Sequence, residues 1–386
     1  MLETFDIRPW PVSTNNLAWS TDNIVAVAVS GSIELLVSLD RIVRCSFPYS
    51  QDQVPRYSRA GSTDRWTVLS IDASSFTHEE FPLLEPAPWS TFDVGEELSD
   101  RFVTSHSWSP PGLGKHGSCV LAVLTSNHVL SLWGFSGRPD LSEDWHRTTI
   151  VNEFLRGVNS GDVELRHGRR IHSFAWLPIP LTPAEQEGPG GRMSNRGQHL
   201  AVSDDLGNIH LIKVGSGVDV IESKISYQME VVASIPVSPV GSIARPILAA
   251  LPSFIDVRPA VVDQVACSPW DVGLDDTLCA TLAFTCMDRL LSMRVRLVES
   301  QNSSNIEVET PTLVSIADTP IQVSGPLLWG PRLSSLGSSL IFFSTTSIYC
   351  MSISPRAGVH LSSRPLDTTW KQISGMVYLV NEAEPC

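Results

Sequence analysis

Charge is scarce in this chain, and what there is runs acidic. Charged residues make up 18% of 386 and the formal net charge is −14, a field that repels phosphate backbones and disfavours broad non-specific nucleic-acid binding by the whole surface, although a local basic patch could still touch nucleic acid. Two local basic clusters remain, one of Arg166, His167, Arg169 and Arg170 and one of Arg289, Arg294 and Arg296. Neither is interleaved with aromatics, so both read as solvated strand ends and loops. Cysteine pairs are missing too. The seven cysteines (45, 119, 267, 279, 286, 350 and 386) include no C-x-x-C and no Cys/His set with zinc spacing. Most sit inside apolar runs, as reduced cysteines do in the core of a nuclear or cytosolic protein. The opening MLETFDIRPWPV has neither the basic n-region nor the apolar h-region of a signal peptide, and no run reaches the length of a membrane span. Amphipathic 3.6-residue periodicity is rare. There is no G-x-S-x-G elbow, H-E-x-x-H helix or Walker loop. The GPGG at 188–191 has no strand before it and no Lys-Ser/Thr after it, which removes a phosphate cradle. No catalytic, cofactor-binding or metal-ligating residue is assigned, no cofactor or small-molecule ligand is expected, and the chain is read as a non-enzyme.

What is present is a repeat. Hydrophobic residues reach 42%, enough for a sizeable core, while 25 Gly and 27 Pro spread along the chain suit many short strands. The organising stretch is SHSWSPPGLGKHGSCVLAVLTSNHVLSLWG, residues 105–134. It runs from a tryptophan and a turn to an apolar strand, a short polar turn and a returning strand. The same order recurs at LAWSTDNIVAVAVSGSIELLV (17–37), at IHSFAWLP (171–178) with LAVSDDLGNIHLIKV (200–214), at VDQVACSPWDVG (262–273) with CATLAFTCMDRLLSMRV (279–295), and at GPLLWGPRLSSLGSSLIFFSTTSIYCMSI (325–353). The anchor positions are Trp19, Trp108, Trp176, Cys267 and Trp329. A repeat of roughly 40–50 residues built from four strands predicts an all-β propeller, since each unit alone exposes an apolar face. The anchors are 89, 68, 91 and 62 residues apart, and lone strands at 66–71 and 227–235 fill the long intervals. The expected count is therefore about seven blades, six to eight. Residues 370–380 start a further unit, which would leave the last blade incomplete. Polar insertions are expected at about 40–65, 135–165 (with a short helix near 151–156), 182–198 and 299–312, all within one propeller domain over 1–386. A pair of β-sandwiches is the alternative, but it leaves the fivefold recurrence unexplained.

Several residues could suggest chemistry. His106, His172 and His210 lie beside repeat strands, where a histidine bonded to neighbouring backbone is the ordinary explanation. Asp204 and Asp205 read as turn residues before Gly207 rather than a metal or catalytic dyad. The anchor tryptophans are expected to be buried between blades. Trp10, Trp89 and Trp145 fall in connections, where aromatics serve as interface hot spots or pack onto their own domain.

The Trp-Ser-Pro turn and following hairpin resemble WD-repeat propellers in degenerate form, with no blade ending in Trp-Asp. More specifically, LAWSTDNIVAVAVSGSIELL and SWSPPGLGKHGSCVLAVLTSNHVLSLW resemble the N-terminal propeller of the transcription factor IIIC delta subunit, over residues 1 to about 380. The resemblance implies a scaffold that binds other IIIC subunits and RNA polymerase III machinery by protein–protein contacts at transfer RNA and other small RNA genes. It also implies a nuclear location, with DNA contact only through the complex and no membrane contact. The family's C-terminal zinc-finger-like domain has no counterpart here. Acetyltransferase activity is attributed to some members, but the [QR]-x-x-G-x-[GA] loop is absent from these residues. The rival readings are a propeller scaffold of a nuclear pore, a vesicle coat or a ubiquitin-ligase adaptor, and an enzyme.

Overall fold

The computed structural model describes residues 16–38, 66–76, 102–158, 170–179, 198–218, 225–237, 261–272, 277–286, 289–300, 303–316, 319–320, 323–330, 338–344, 346–354 and 358–366. These form two compact units, Met1–Val151 with Ser216–Tyr227, and Asn152–Gly215 with Gln228–Cys386.

Each repeat found in the sequence is one antiparallel sheet whose strands pair in chain order. The first blade contains β1 (Leu17–Trp19), β2 (Ile24–Val29), β3 (Ser32–Ser38) and β4 (Trp66–Asp72). The second contains β5 (Val103–Trp108), β6 (Leu121–Thr125), β7 (Leu130–Phe135) and β8 (Trp145–Ile150), followed by helix α1 (Val151–Val158). The third contains β9 (Ile171–Trp176), β10 (Gln198–Asp204), β11 (Asn208–Val218) and β12 (Ile225–Pro236).

The fourth blade is broken at both edges. Its inner strand is split into β13 (Val262–Cys267) and β14 (Asp271–Val272), both on β15 (Leu278–Cys286). Its outer strand is split into β17 (Ser303–Val308) and β18 (Thr312–Leu313), both on β16 (Arg289–Ser300). Pro269 and Pro311 fall in the two gaps, where a residue without an N–H removes a ladder bond. A two-residue ribbon, β19 (Ser315–Ile316) with β20 (Thr319–Pro320), precedes the fifth blade. That blade contains β21 (Leu328–Trp329), β22 (Ser338–Phe343), β23 (Ser347–Ser354) and β24 (Gly358–Pro365).

Among the described residues there are thus five blades, and the expectation of about seven is corrected. The strands at 66–71 and 227–235 are not remnants of hidden units. They are β4 and part of β12, the fourth strands of the first and third blades. The fifth blade has all four strands; the incomplete unit expected from residues 370–380 lies outside the described residues. Two expected insertions carry structure: 135–165 holds β8 and α1, and 299–312 holds β17 and the start of β18. Residues 40–65 and 182–197 lie outside the described residues.

The second strand of each blade explains why the repeats stand out in the sequence. In the first three blades it is buried on both faces, which favours a largely apolar run. Within the first unit, Ile24, Ala26 and Ala28 join Ile33, Leu35, Val37, Leu69 and Ile71 against Trp108, Leu121, Val123, Trp133 and Trp145 of the second blade. The alternate residues Val25, Val27 and Val29 form a separate cluster with Leu36 and Trp66. Within the second unit, one cluster joins the third blade (Ala201, Ile209, Leu211) to the fourth (Leu282, Phe284, Met293, Val295). Another joins the fourth (Ala283, Leu290) to the fifth (Leu340, Phe342, Met351).

The residue after the anchor has a specific task. Ser20, Ser109 and Ser268 each donate their N–H to a second-strand carbonyl, of Ile24, Val120 and Thr281 respectively. Each Oγ then accepts the N–H of that same residue, at 3.0, 2.9 and 2.8 Å. The serine therefore imitates one more backbone pair after the first strand has ended. In the third and fifth blades, Leu177 and Gly330 keep only the N–H bond. Replacing Ser109 by alanine strands the buried Val120 N–H and is expected to cost about 1–3 kcal/mol. Urea unfolding of Ser109→Ala checks this, and an unchanged midpoint would remove the clamp role.

Candidate functional site

The histidines that could suggest catalysis are held in structure, in two different ways. His106, on β5, is 5% exposed and its Nε2–H donates to the Ala26 carbonyl of the first blade at 3.1 Å. Burial depresses its pKa to about 4, only partly opposed by that bond. His199, on β10, is also held at about 4, by burial first and then by the charge of Lys213, its partner across the β10–β11 pair. His172 lies half-buried on β9.

His210 departs from the backbone-bonded expectation, because its partners are side chains. Its Nε2 is 2.9 Å from Asp204 Oδ2 and its Nδ1 is 2.8 Å from Ser234 Oγ. Asp204 is fully buried and its Oδ1 also accepts the N–H groups of Leu206 and Asn208, at 3.1 and 2.8 Å. Burial pushes this carboxyl up, but the bonds from His210 and Asn208 outweigh it and leave its pKa lowered. Gly207, at φ +75°, closes the turn by donating to the Asp204 carbonyl. Serine, histidine and aspartate stand in a row, yet each acceptor of the aspartate is spent on the β10–β11 turn. The turn reading of Asp204 holds. Asp205 is pushed upward, by burial first and then by the adjacent Asp204 charge.

The other candidates disperse. Arg166, His167 and Arg169 lie outside the described residues, while the Arg170 carbonyl accepts the Asp205 N–H. Arg289, Arg294 and Arg296 lie along β16, but Arg296 pairs with Glu309 at 2.6 Å and stands opposite Glu307, so the cluster is partly neutralised. Cys119, Cys267, Cys279, Cys286 and Cys350 are free; burial pushes Cys119 and Cys286 up to about 11, away from the reactive thiolate. Among the described residues no group of His, Cys, Asp or Glu could hold a metal ion. No helix among them is long and apolar enough to cross a membrane.

The tryptophans divide. Trp108 and Trp176 are each 8% exposed, Trp329 is half-buried, but Trp19 is 63% exposed, which corrects the expectation that all four anchors are buried. Trp108 Nε1 donates to the Ala18 carbonyl and Trp329 Nε1 to the Ala266 carbonyl, each at 3.2 Å. Ala18 and Ala266 immediately precede the anchors of the preceding blades, Trp19 and Cys267. The indole thus ties consecutive blades at one repeated point. Where the fourth blade has cysteine, the nearby Trp270 supplies an indole instead, to the Pro178 carbonyl of the third blade at 2.6 Å. Trp145 begins β8 rather than lying in a connection; it is 5% exposed, packs on Trp108 and Phe135, and bonds to the Pro139 carbonyl. Trp10 and Trp89 lie outside the described residues. Arg147 is held between Phe76 and Trp133, 3.9 and 4.8 Å from the ring centroids, and donates to the Ala73 and Ser75 carbonyls. Two features were missed in the sequence: the serine clamp, visible only as a repeated Ser after the anchor, and the exposure of Trp19.

Sequential four-stranded meanders, with an indole tying the first blade to the second, the third to the fourth and the fourth to the fifth, define a β-propeller. Residues 19–384 match the family model described as the transcription factor IIIC subunit delta β-propeller domain. The chain belongs to that family. It is also 25% identical over 201 residues to a Schizosaccharomyces pombe protein (strain 972) named as transcription factor tau subunit sfc9. That match takes in 52% of this chain and 25% of the yeast protein, so the chain spans about a quarter of that relative's length. Among solved structures, the Nup133 β-propeller domain of Vanderwaltozyma polyspora aligns over 95% of this chain and 78% of its own, at 12% identity and TM-score 0.42. The Dos1 propeller aligns over 95% and 63%, at 11% identity and TM-score 0.40. At those values the two structures bear on no functional statement.

Proposed function

We propose that this chain is a non-enzymatic scaffold subunit of a transcription factor IIIC-like complex, acting in the nucleus. In this reading it contributes to RNA polymerase III initiation at transfer RNA and other small RNA genes by contacts with other IIIC subunits and polymerase III machinery. The observation that carries the proposal is the family match, which extends over nearly the whole chain. The polar constellations agree with it: Asp204, His210 and Ser234 hold a turn, and His106 holds a blade contact, so neither set is arranged around a substrate. Contact with DNA would then pass through partners, because the chain's own charge of −14 opposes it. The experiment is affinity purification of the tagged chain from nuclear extract, with co-purifying proteins identified by mass spectrometry. Stoichiometric recovery of IIIC subunits, stable to moderate salt, is the expected result. Recovery of pore, coat or ubiquitin-ligase components in their place would overturn the assignment.

A further inference from the structure

A small notch in the first unit sets a cation and a buried phenol around one space. Its lining includes Lys115, Gly134, Ser136, His146, Thr148 and Tyr227, all within that unit, to which residues 216–227 belong. The space is about 270 Å³ and partly open to solvent, below the range of cofactor pockets and suited to one inserted side chain. Local sequence sets each wall. Lys115 stands in the loop from β5 to β6, which Gly112, His116 and Gly117 wind tightly at φ of 111°, 56° and 76°. Gly114 in the same loop has no room for a side chain, since a Cβ there would lie 2.4 Å from Ser118 Oγ. The loop so wound turns Lys115 back until its ammonium donates to the Ser136 carbonyl, just past β7. That bond uses one of an ammonium's three N–H donors. His146 pairs with Gly134 across β7 and β8, and its Nδ1 is 3.1 Å from the Asp144 carbonyl. Tyr227, on β12, brings its hydroxyl over Gly134, where an added methyl would lie 3.5 Å from it. The hydroxyl is buried, with Thr148 beside it but no group at hydrogen-bonding distance. Burial pushes its pKa up to about 12, so it stays a protonated donor. A buried donor left without an acceptor calls for one.

We propose that the notch takes one carboxylate, the side chain of an aspartate or glutamate on a partner protein. The partner rests on the scaffold reading above, whereas the carboxylate rests on the donors themselves. Its oxygens accept from the Tyr227 hydroxyl and from the Lys115 ammonium, and bonds to a charged acceptor are the strong ones. Lys115 is already held in place by its loop, so little ordering is needed on binding. The loop from β7 to β8 that borders the notch carries Asp140, Glu143 and Asp144, and their repulsion favours a single charge over a phosphate dianion. Two of these acids are turned into the loop itself, Asp140 to the Arg138 side chain and Asp144 to the Arg138 N–H.

The test follows acetylation of Lys115 in the full chain by an N-hydroxysuccinimide ester, read by peptide mapping, with acetate as the probe. Chloride at equal ionic strength is the reference for screening, and Lys213 on β11 is the internal control. Acetate at about 0.1 M is expected to slow Lys115 about threefold, the protection of a site about two-thirds occupied, and to leave Lys213 unchanged. Tyr227→Phe keeps the ring, removes the hydroxyl and should abolish that protection. Protection that survives Tyr227→Phe overturns the proposal and leaves Lys115 an ordinary surface cation. Acetate no better than chloride also overturns it, without touching the scaffold reading. Protection by inorganic phosphate but not by acetate overturns it in favour of a phosphorylated ligand. In the nuclear-extract purification, the Tyr227→Phe chain should retain its partners less well at moderate salt. Equal retention overturns the partner's carboxylate in favour of a free one.

Discussion

Truncating Trp108 to alanine is expected to lower stability by about 3–5 kcal/mol, the range for removing a large buried aromatic. Three losses combine. The ring is 8% exposed and lies in the cluster between the first two blades. It makes an edge contact with Trp145, at 6.1 Å between centroids. Its indole N–H also leaves the Ala18 carbonyl without that bond. Trp108→Phe separates these terms, since it keeps most of the volume and loses the indole bond, and about 1 kcal/mol should go with it. Trp19→Ala is the contrast: a ring 63% exposed has far less to lose. Denaturant unfolding of the three variants checks the order. Equal losses at Trp108 and Trp19 would show that the anchor position, not its burial, sets the effect.

Acid should unfold this propeller well above the range in which carboxylates titrate. His106 and His199 are held neutral in the fold, with pKa near 4 against 6.5 in the unfolded chain. Between those values the unfolded chain binds the protons, so the stability each contributes is complete above pH 6.5 and is lost as pH falls toward 4. Each traverse is worth about 3 kcal/mol. The depressed Asp204 extends the loss to lower pH, as its carboxylate is finally protonated. His106→Gln keeps a side-chain donor for the Ala26 carbonyl but cannot titrate. Its unfolding free energy, followed from pH 7 to pH 4.5, should fall with roughly half the slope of the parent. A profile parallel to the parent's would remove His106 as a source of the acid sensitivity.

The sequence shows the inner part of each blade and hides the outer part, for one physical reason. Second strands such as IVAVAV at 24–29 are covered on both faces, so they read as unbroken apolar runs between turns. Fourth strands are sheet edges with one partner. WHRTTI at 145–150 is buried only at its ends, and SSNIEV at 303–308 has almost no apolar period, so both fall within stretches that read as insertions. WTVLSID at 66–72 does read as a strand, but residues 39–65 separate it from β3, and its isolation suggests an extra unit. That is how five anchors became an expected seven blades. The anchors themselves, Cys267 included, each sit at or next to the end of a first strand. The Asp204 turn was legible because Asp-x-x-Gly is local chemistry. His210 with Ser234 was not, because 24 residues separate the pair and only the β11–β12 register brings them together.

The pairing of β3 with β4 across residues 39–65 has a consequence for how the chain can change. Closing a connection carries an entropy that grows only with the logarithm of its length, about 0.6 kcal/mol for each doubling. The blade therefore feels the presence of that connection far more than its size. Residues can be gained or lost there at little thermodynamic penalty, while a one-residue slip in β4 would turn Leu69 and Ile71 out of the core. Because every meander also closes among neighbours in sequence, each can form as it leaves the ribosome, before the next has been synthesised.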